Sequence, residues 1–379
     1  MTLTSAMRSG LPALLSVALL GCGASGPSGP TAMNVHLVDG PSTDYAAINL
    51  EIQKVEIHGD GGWLVLGTPD VIVDLLSLTG GVEEMLVNGA SLPAGHYDQM
   101  RLVLGSRNTV TLKDGSTPAL KVPSGMQSGV KLDVSFDVSQ NTTKDVFIDF
   151  DAHRSIFLHA AGNSGQYLLR PVVRAFDKVV TGAITGSLVD ATTKAPLPGV
   201  MVTAQVLDAT GNPDVVRTTT TRDDGTYVLD LLPVATPTAY FVVSQPIVGA
   251  NVYAANASGA ITISAGAPTA TYDGSFGAVT AVGGISGGIT PPVTDSQGDE
   301  VAVEGAVGSH TFIIQTVNAS LTALGESYAV SDLPAGVYSL VVTRGTIDDS
   351  GALTLTSASS AQPATVVAGV TSTLDLTFP

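Results

Sequence analysis

Cysteine occurs once in 379 residues, so no disulfide can form within one chain and each domain must stand on its apolar core alone. Basic side chains are scarce as well: 16 lysines and arginines face 33 aspartates and glutamates, a formal net charge of −17. Such a surface repels phosphate backbones, which excludes nucleic acid as a partner. The deficit is uneven. Residues 1–178 hold 12 basic and 17 acidic side chains, residues 179–379 only 4 and 16, so surface chemistry changes near residue 178. Tryptophan appears once, and after residue 22 no apolar run is long enough to span a bilayer. Long helical periodicities are also missing. What remains is glycine, valine, threonine and alanine in short alternating runs cut by glycine, proline and asparagine, the pattern of an all-β chain.

The one cysteine is well placed. Arg8 precedes a short apolar run, Leu11 to Leu20, and Gly21 then stands before Cys22. This is the layout of a secretory signal. Leu19-Leu20-Gly21-Cys22 resembles a bacterial lipobox, which implies a diacylglycerol on the Cys22 thiol and cleavage of residues 1–21. Gly23 after the cysteine, by resemblance to Gram-negative lipoproteins, implies the outer membrane, with the acyl chains as the membrane contact. Residues 22–32, rich in glycine, serine and proline, read as a flexible tether.

About 357 residues follow Cys22, enough for two to four domains. A first β-rich unit is expected over 33–178. Within it, Asn49 to His58 alternates through Leu50, Ile52, Val55 and Ile57 with a phase slip at Gln53-Lys54 that marks a bulge. Residues 79–86 read as a short helix, and 131–138 with 145–150 as a hairpin about Gln140-Asn141. MNVHLVDGPSTDY (33–45), INLEIQKVEIH (48–58), LPAGHYDQMRL (92–102) and LLRPVVRAF (168–176) together resemble domain-of-unknown-function family 4382, a bacterial lipoprotein domain. The resemblance implies an envelope-facing β domain and brings no activity with it.

Two further units, 179–280 and 281–379, resemble each other. GTYVLDLLP (225–233) parallels ESYAVSDLP (326–334), and ITISAGAPTATYDGSF (261–276) parallels ATVVAGVTSTLDLTF (364–378). A recurrence near one hundred residues is the size of a β-sandwich. GAITGSLVDATTKAPLPGVMVTA (182–204) with TTTRDDGTYVL (219–229) resembles the carboxypeptidase regulatory-like, transthyretin-like sandwich; the third unit is a divergent Ig-like copy. The expected architecture is three tandem β-sandwich-like domains strung outward from the tether.

Candidate chemistry is thin. In the expected hairpin, Asp133 and Asp137 share one face, and Asp145, Asp149 and Asp151 share one face of the next strand. Folded together they would form a stripe of five carboxylates, a candidate calcium site against the alternative of a solvated face screened by Lys131 and Lys144. His153 and His159 would share a strand face but lack a third ligand at zinc-like spacing. Asp39 and Asp44 read as turn formers. A G-x-S-x-G elbow and a strand-to-helix G-x-G-x-x-G loop are both missing. A Lys–Asn isopeptide crosslink is not expected, because Lys194 sits in a turn and Val243-Ser244-Gln245 stands where such domains place the acid. Trp63 and the tyrosines Tyr97, Tyr227, Tyr240, Tyr328 and Tyr338 read as core aromatics. The chain is therefore expected to be a non-catalytic, lipid-anchored envelope protein, a binding or spacer module with a protein or glycan partner. The alternative is a carbohydrate-binding accessory lipoprotein. Calcium is the one cofactor candidate.

Overall fold

The computed structural model describes residues 31–378, apart from 41, 43, 79–81, 123–128, 162–163, 178–180, 235–237, 266, 295–296, 348–352 and 358–360. Cys22 and its apolar leader thus lie outside the described residues. Nearly everything described is β; the exceptions are a 3-10 turn, Leu75–Ser77, and one helical turn, Ala152–Ser155. No helix among the described residues is long and apolar enough to cross a membrane. The all-β, sandwich-like class expected from the alternating runs is what forms.

Three separate apolar cores lie along the chain, within 33–169, 184–276 and 285–378. In the first unit two sheets face each other. One has the order Val173–Asp177, Thr143–Asp151, Ala32–Gly40, Glu84–Ser91. The other is built on Tyr45–Gly59, which pairs Gly62–Gly67, Val71–Asp74, Gly95–Leu104 and Thr109–Leu112, with Val130–Val138 beyond Gly95–Leu104. Leu50, Ile52, Val55 and Ile57 are all at most 1% exposed. The register slips between Ile52 and Lys54, where the broken alternation called for a bulge.

Two local expectations fail here. Val130–Val138 and Thr143–Asp151 are not a hairpin: the first pairs Gly95–Leu104, while the second pairs Ala32–Gly40 in parallel and Val173–Asp177. Each strand has one apolar face, Leu132, Val134 and Val138 on one and Val146, Ile148 and Phe150 on the other. Those faces meet across the core from opposite sheets. The expected short helix fails too: residues 79–81 lie outside the described residues, and Glu84–Leu86 opens a strand.

The second and third units share one topology. Thr181–Asp190 pairs Thr226–Pro233 antiparallel and Thr269–Thr271 in parallel; Val282–Thr290 pairs Gly325–Pro334 antiparallel and Thr371–Thr373 in parallel. The correspondence reaches single atoms at an offset near 101 residues. The Tyr227 hydroxyl donates to the Tyr272 carbonyl at 2.7 Å, and the Tyr328 hydroxyl to the Leu374 carbonyl at 2.7 Å. Asp273 accepts from the Ser187 amide at 2.9 Å, and Asp375 from the Gly288 amide at 2.8 Å. Leu231 and Asp332 even share a left-handed backbone, φ 57 and 59.

The units are not strung out; each packs against both others. The first and second meet through an apolar cluster of Val38, Phe147, Phe176 and Leu231 and a buried ion pair, Arg217–Asp149. Between the second and third, Phe241, Val243 and Phe312 are buried together. The first and third share a sheet: Ser320–Thr322 pairs Gly325–Pro334 on one side and Ile156–Ala161 in parallel on the other. Beside that seam Gly298 and Gly345, directly opposed across two strands, leave a hollow that the Phe157 ring and the Arg170 guanidinium fill. Arg170 stacks 4.1 Å over Phe157 and donates to the Gly298 carbonyl, and Arg154 pairs Glu300 at 2.7 Å.

Candidate functional site at the three-unit junction

Closing three units on one another leaves a cleft of about 710 Å³ where they meet. Residues 199–201, Thr203 and 243–245 of the second unit form one wall. The strand His310–Asn318 supplies the other through residues 313–317, with Ala329 and Ser331 beside it. Asp44 and Lys113 of the first unit and Asp332 of the third carry the charge around it. A recess of about 50 Å³ adds Asp151, Asp214, Arg154 and Glu300 and shares Met201, Thr203 and residues 313–316 with the cleft.

Glutamines hold the walls together. The side chain of Gln205, fully buried, accepts from the Ile313 amide at 3.0 Å and donates to the Ile313 carbonyl at 2.7 Å. It thus occupies the free edge of His310–Asn318 as a neighbouring peptide group would, because that strand ends its sheet. Gln315 donates to Gln245 at 2.6 Å, and Gln245 in turn donates to the carbonyls of Tyr253 and Asp332, both at 3.2 Å. Gln205 and Gln245 are tolerated as buried amides because both the oxygen and the nitrogen of each are bonded. Nothing in their sequence spacing announces these glutamines. The arginines left a faint signal: with four basic side chains in residues 179–379, Arg217 and Arg344 stand out, and both are buried in ion pairs.

The five aspartates of the expected calcium stripe are not brought together. Asp133 accepts from Gln99 at 3.1 Å, and Asp137 faces His96 at 3.0 Å, both on the exposed face of the sheet built on Tyr45–Gly59. Asp145 accepts from Asn34 at 2.7 Å, Asp149 pairs Arg217, and Asp151 caps the Arg154 amide at 3.1 Å. The stripe fails because the strands belong to opposite sheets, and among the described residues no group of three or more metal-ligating side chains converges. His153 and His159 do not share a continuous strand, since Ala152–Ser155 is a helical turn before Ile156–Ala161.

Asp39 is no turn former. It lies within Ala32–Gly40, 2% exposed, accepting from the Ala152 amide at 3.0 Å, and burial with Asp151 and Asp149 nearby raises its pKa well above the usual range. His36 is stacked on Phe147 at 4.6 Å and is likewise buried. Trp63 is not in the core: it is half-buried on the strand Gly62–Gly67, with the Arg101 guanidinium 4.2 Å over its ring. Tyr97, Tyr227, Tyr240 and Tyr328 are buried and Tyr338 is half-buried. Tyr97 and Tyr338, each closing an LPAG-x-Y turn, donate to Pro93 and Pro334 at 2.8 Å, and Tyr240 donates to Pro233 at 2.6 Å. None of these rings is offered to solvent as a stacking platform.

One buried acid gives a pH expectation. Glu326 accepts from the Val293 amide at 2.9 Å, while Arg344 lies between it and Asp299, bonding Asp299 at 2.6 and 2.7 Å. Burial first, and the Asp299 charge second, push Glu326 up to about 7. Because this lies above the unfolded value of 4.5, the protonated acid stabilises the fold fully below pH 4.5, and that contribution is lost as pH rises through 7. The third unit is expected to melt about 5 °C or more higher at pH 5 than at pH 8, and Glu326→Gln to flatten that difference in calorimetry.

With this geometry established, a family model described as a domain of unknown function, DUF4382, matches residues 31–171. No curated protein matches the chain. Among solved structures it is similar to the Bacillus anthracis TIE protein at 11% identity and TM-score 0.22, over 92% of this chain but only 50% of that one. It is also similar to a streptococcal ancillary pilin, at 11% identity and TM-score 0.22 over 92% of this chain and 99% of the other. The shaft pilin SpaA from Lactobacillus rhamnosus GG is a third, at 12% identity and TM-score 0.20 over 52% and 97%. Overlaps this loose pass nothing of those proteins' roles to this chain.

Proposed function

We propose that this is a non-catalytic cell-envelope protein, anchored to the outer membrane through lipid on Cys22, that holds a partner in the cleft between its three units. The observation that carries the reading is the cleft itself: a concavity of ligand-binding size, walled by all three units, the second and third of which are tied together by bonded glutamines. Its lining consists of amides, hydroxyls and aliphatic side chains with two carboxylates, Asp44 and Asp332, and one ammonium, Lys113, a set suited to recognition. Orientation supports the same reading. The nine-residue strand Ala32–Gly40 carries the chain about 30 Å from the tether's entry to Gly40, whose backbone abuts Thr218 of the second unit. Thr218 also lines the recess, so the recess lies at the end of that strand away from the tether. The buried tyrosines and the arginine-capped Trp63 favour a polypeptide over a glycan, since sugar recognition draws on exposed ring faces.

Expressed in a Gram-negative host, the wild-type chain is expected to incorporate labelled palmitate and to sediment with outer membranes, and Cys22→Ser to lose both. Equal labelling of the two, or release of the wild type as a soluble protein, would overturn the anchor.

A further inference from the structure

We infer that the cleft takes an extended polypeptide segment bearing lysine or arginine. The inference rests on the binding reading above and adds the class of partner. The first argument is charge. Of the four basic side chains in residues 179–379, Arg217 and Arg344 are buried, leaving Lys194 and Arg222 exposed. Against those two stand, among the described residues, seven exposed aspartates, at 208, 214, 223, 224, 273, 332 and 375. The cleft and its recess repeat the imbalance: Asp44, Asp151, Asp214, Glu300 and Asp332 face Lys113 and Arg154. Arg154 and Glu300 already neutralise each other at 2.7 Å. A field of one sign focused into a concave site draws in a partner of the other sign and rejects its own.

The second argument is the shape and chemistry of the walls. No aromatic side chain is among the described residues lining the cleft, so sugar rings have nothing to stack on. One wall is the edge strand of a sheet; Gln205 already fills both backbone positions of Ile313, so a bound segment would pair farther along the strand, towards Val317, in the way Gln205 does at Ile313. That is the pairing an extended peptide makes when it lies along a strand. Ile314 and Val317 line the same wall, and Asp214 in the recess is placed for a cationic side chain.

The test is fluorescence anisotropy on the full chain carrying Cys22→Ser, with labelled eight-residue peptides of alternating Lys–Val, Ser–Val and Glu–Val sequence. The Lys–Val peptide is expected to bind about tenfold tighter than Ser–Val, and Glu–Val not at all. Asp214→Asn and Asp332→Asn should each weaken Lys–Val binding roughly threefold or more, while Asp223→Asn, a remote exposed carboxylate, leaves it unchanged. Ser331→Trp, on the cleft wall, should weaken it about tenfold at an unchanged melting temperature. Equal weakening by Asp223→Asn, or indifference to Ser331→Trp, would mean bulk electrostatic adhesion and would overturn the inference. A glycan array on the same protein separates the two readings. A glycan whose binding is lost in Ser331→Trp overturns the peptide class and leaves the binding role intact; silence from both peptides and glycans overturns both.

Discussion

Gly186→Ala is expected to destabilise the second unit by about 3 kcal/mol or more, and Gly287→Ala the third by a similar amount. At each position the opening strand passes so close to its parallel closing strand that a methyl group would overlap a backbone carbonyl, that of Tyr272 in one unit and of Leu374 in the other. Backbone cannot swing aside as a flexible side chain does, so the closing strand must move. Moving it also strains the hydroxyl bond that pins each carbonyl, from Tyr227 or Tyr328. The measurement is thermal unfolding beside Gly211→Ala, where a Cβ would meet no atom within 4 Å and the cost comes only from a backbone at φ 91. Gly186→Ala losing no more than that control would mean that the parallel strand yields easily and that the crossing does not hold the unit shut.

The duplication behind this expectation was legible in the sequence, because both copies keep the same turn and the same tyrosine: GTYVLDLLP against ESYAVSDLP. Alternation also placed the bulge at Gln53-Lys54 and the apolar face of Tyr45–Gly59. Other features were not legible, for a physical reason. Alternation reports which side of a strand is apolar but not which strand lies beside it, so Val130–Val138 and Thr143–Asp151 read equally well as a hairpin or as opposite walls of one core. The proposed calcium stripe depended on the wrong choice. The cleft was hidden for a related reason. Its walls meet only after three units dock, and the docking contacts join residues far apart in the sequence, from Gln245 with Gln315, 70 positions apart, to Arg154 with Glu300, 146 apart.

Whether those units behave as one body turns on Arg217, and Arg217→Met is expected to cost about 3–5 kcal/mol. The guanidinium is 7% exposed at the seam between the first and second units, where it pairs Asp149 of the first and, at 3.2 Å, Asp230 of its own unit. Taking two charges out of water is expensive, so the intact pair adds little net stability. Removing one partner is different: Asp149 would stay largely buried, near Asp39 and Asp151, without the cation that offsets it. The strain falls on the seam, because Asp149 regains water only if the units part. Arg217→Met should therefore expand the body in small-angle scattering and expose the 213–220 strand to protease, while the isolated cores keep their β circular dichroism. Adding Asp149→Asn should recover much of the loss by removing the stranded charge, and a double variant as damaged as the single one would assign the effect to lost side-chain packing. The cleft depends on this seam, since Asp44 and Lys113 come from the first unit and Met201 and Thr203 from the second. Arg217→Met should then weaken any ligand of the cleft without touching a residue that lines it, and Asp149→Asn in the same chain should bring that affinity back.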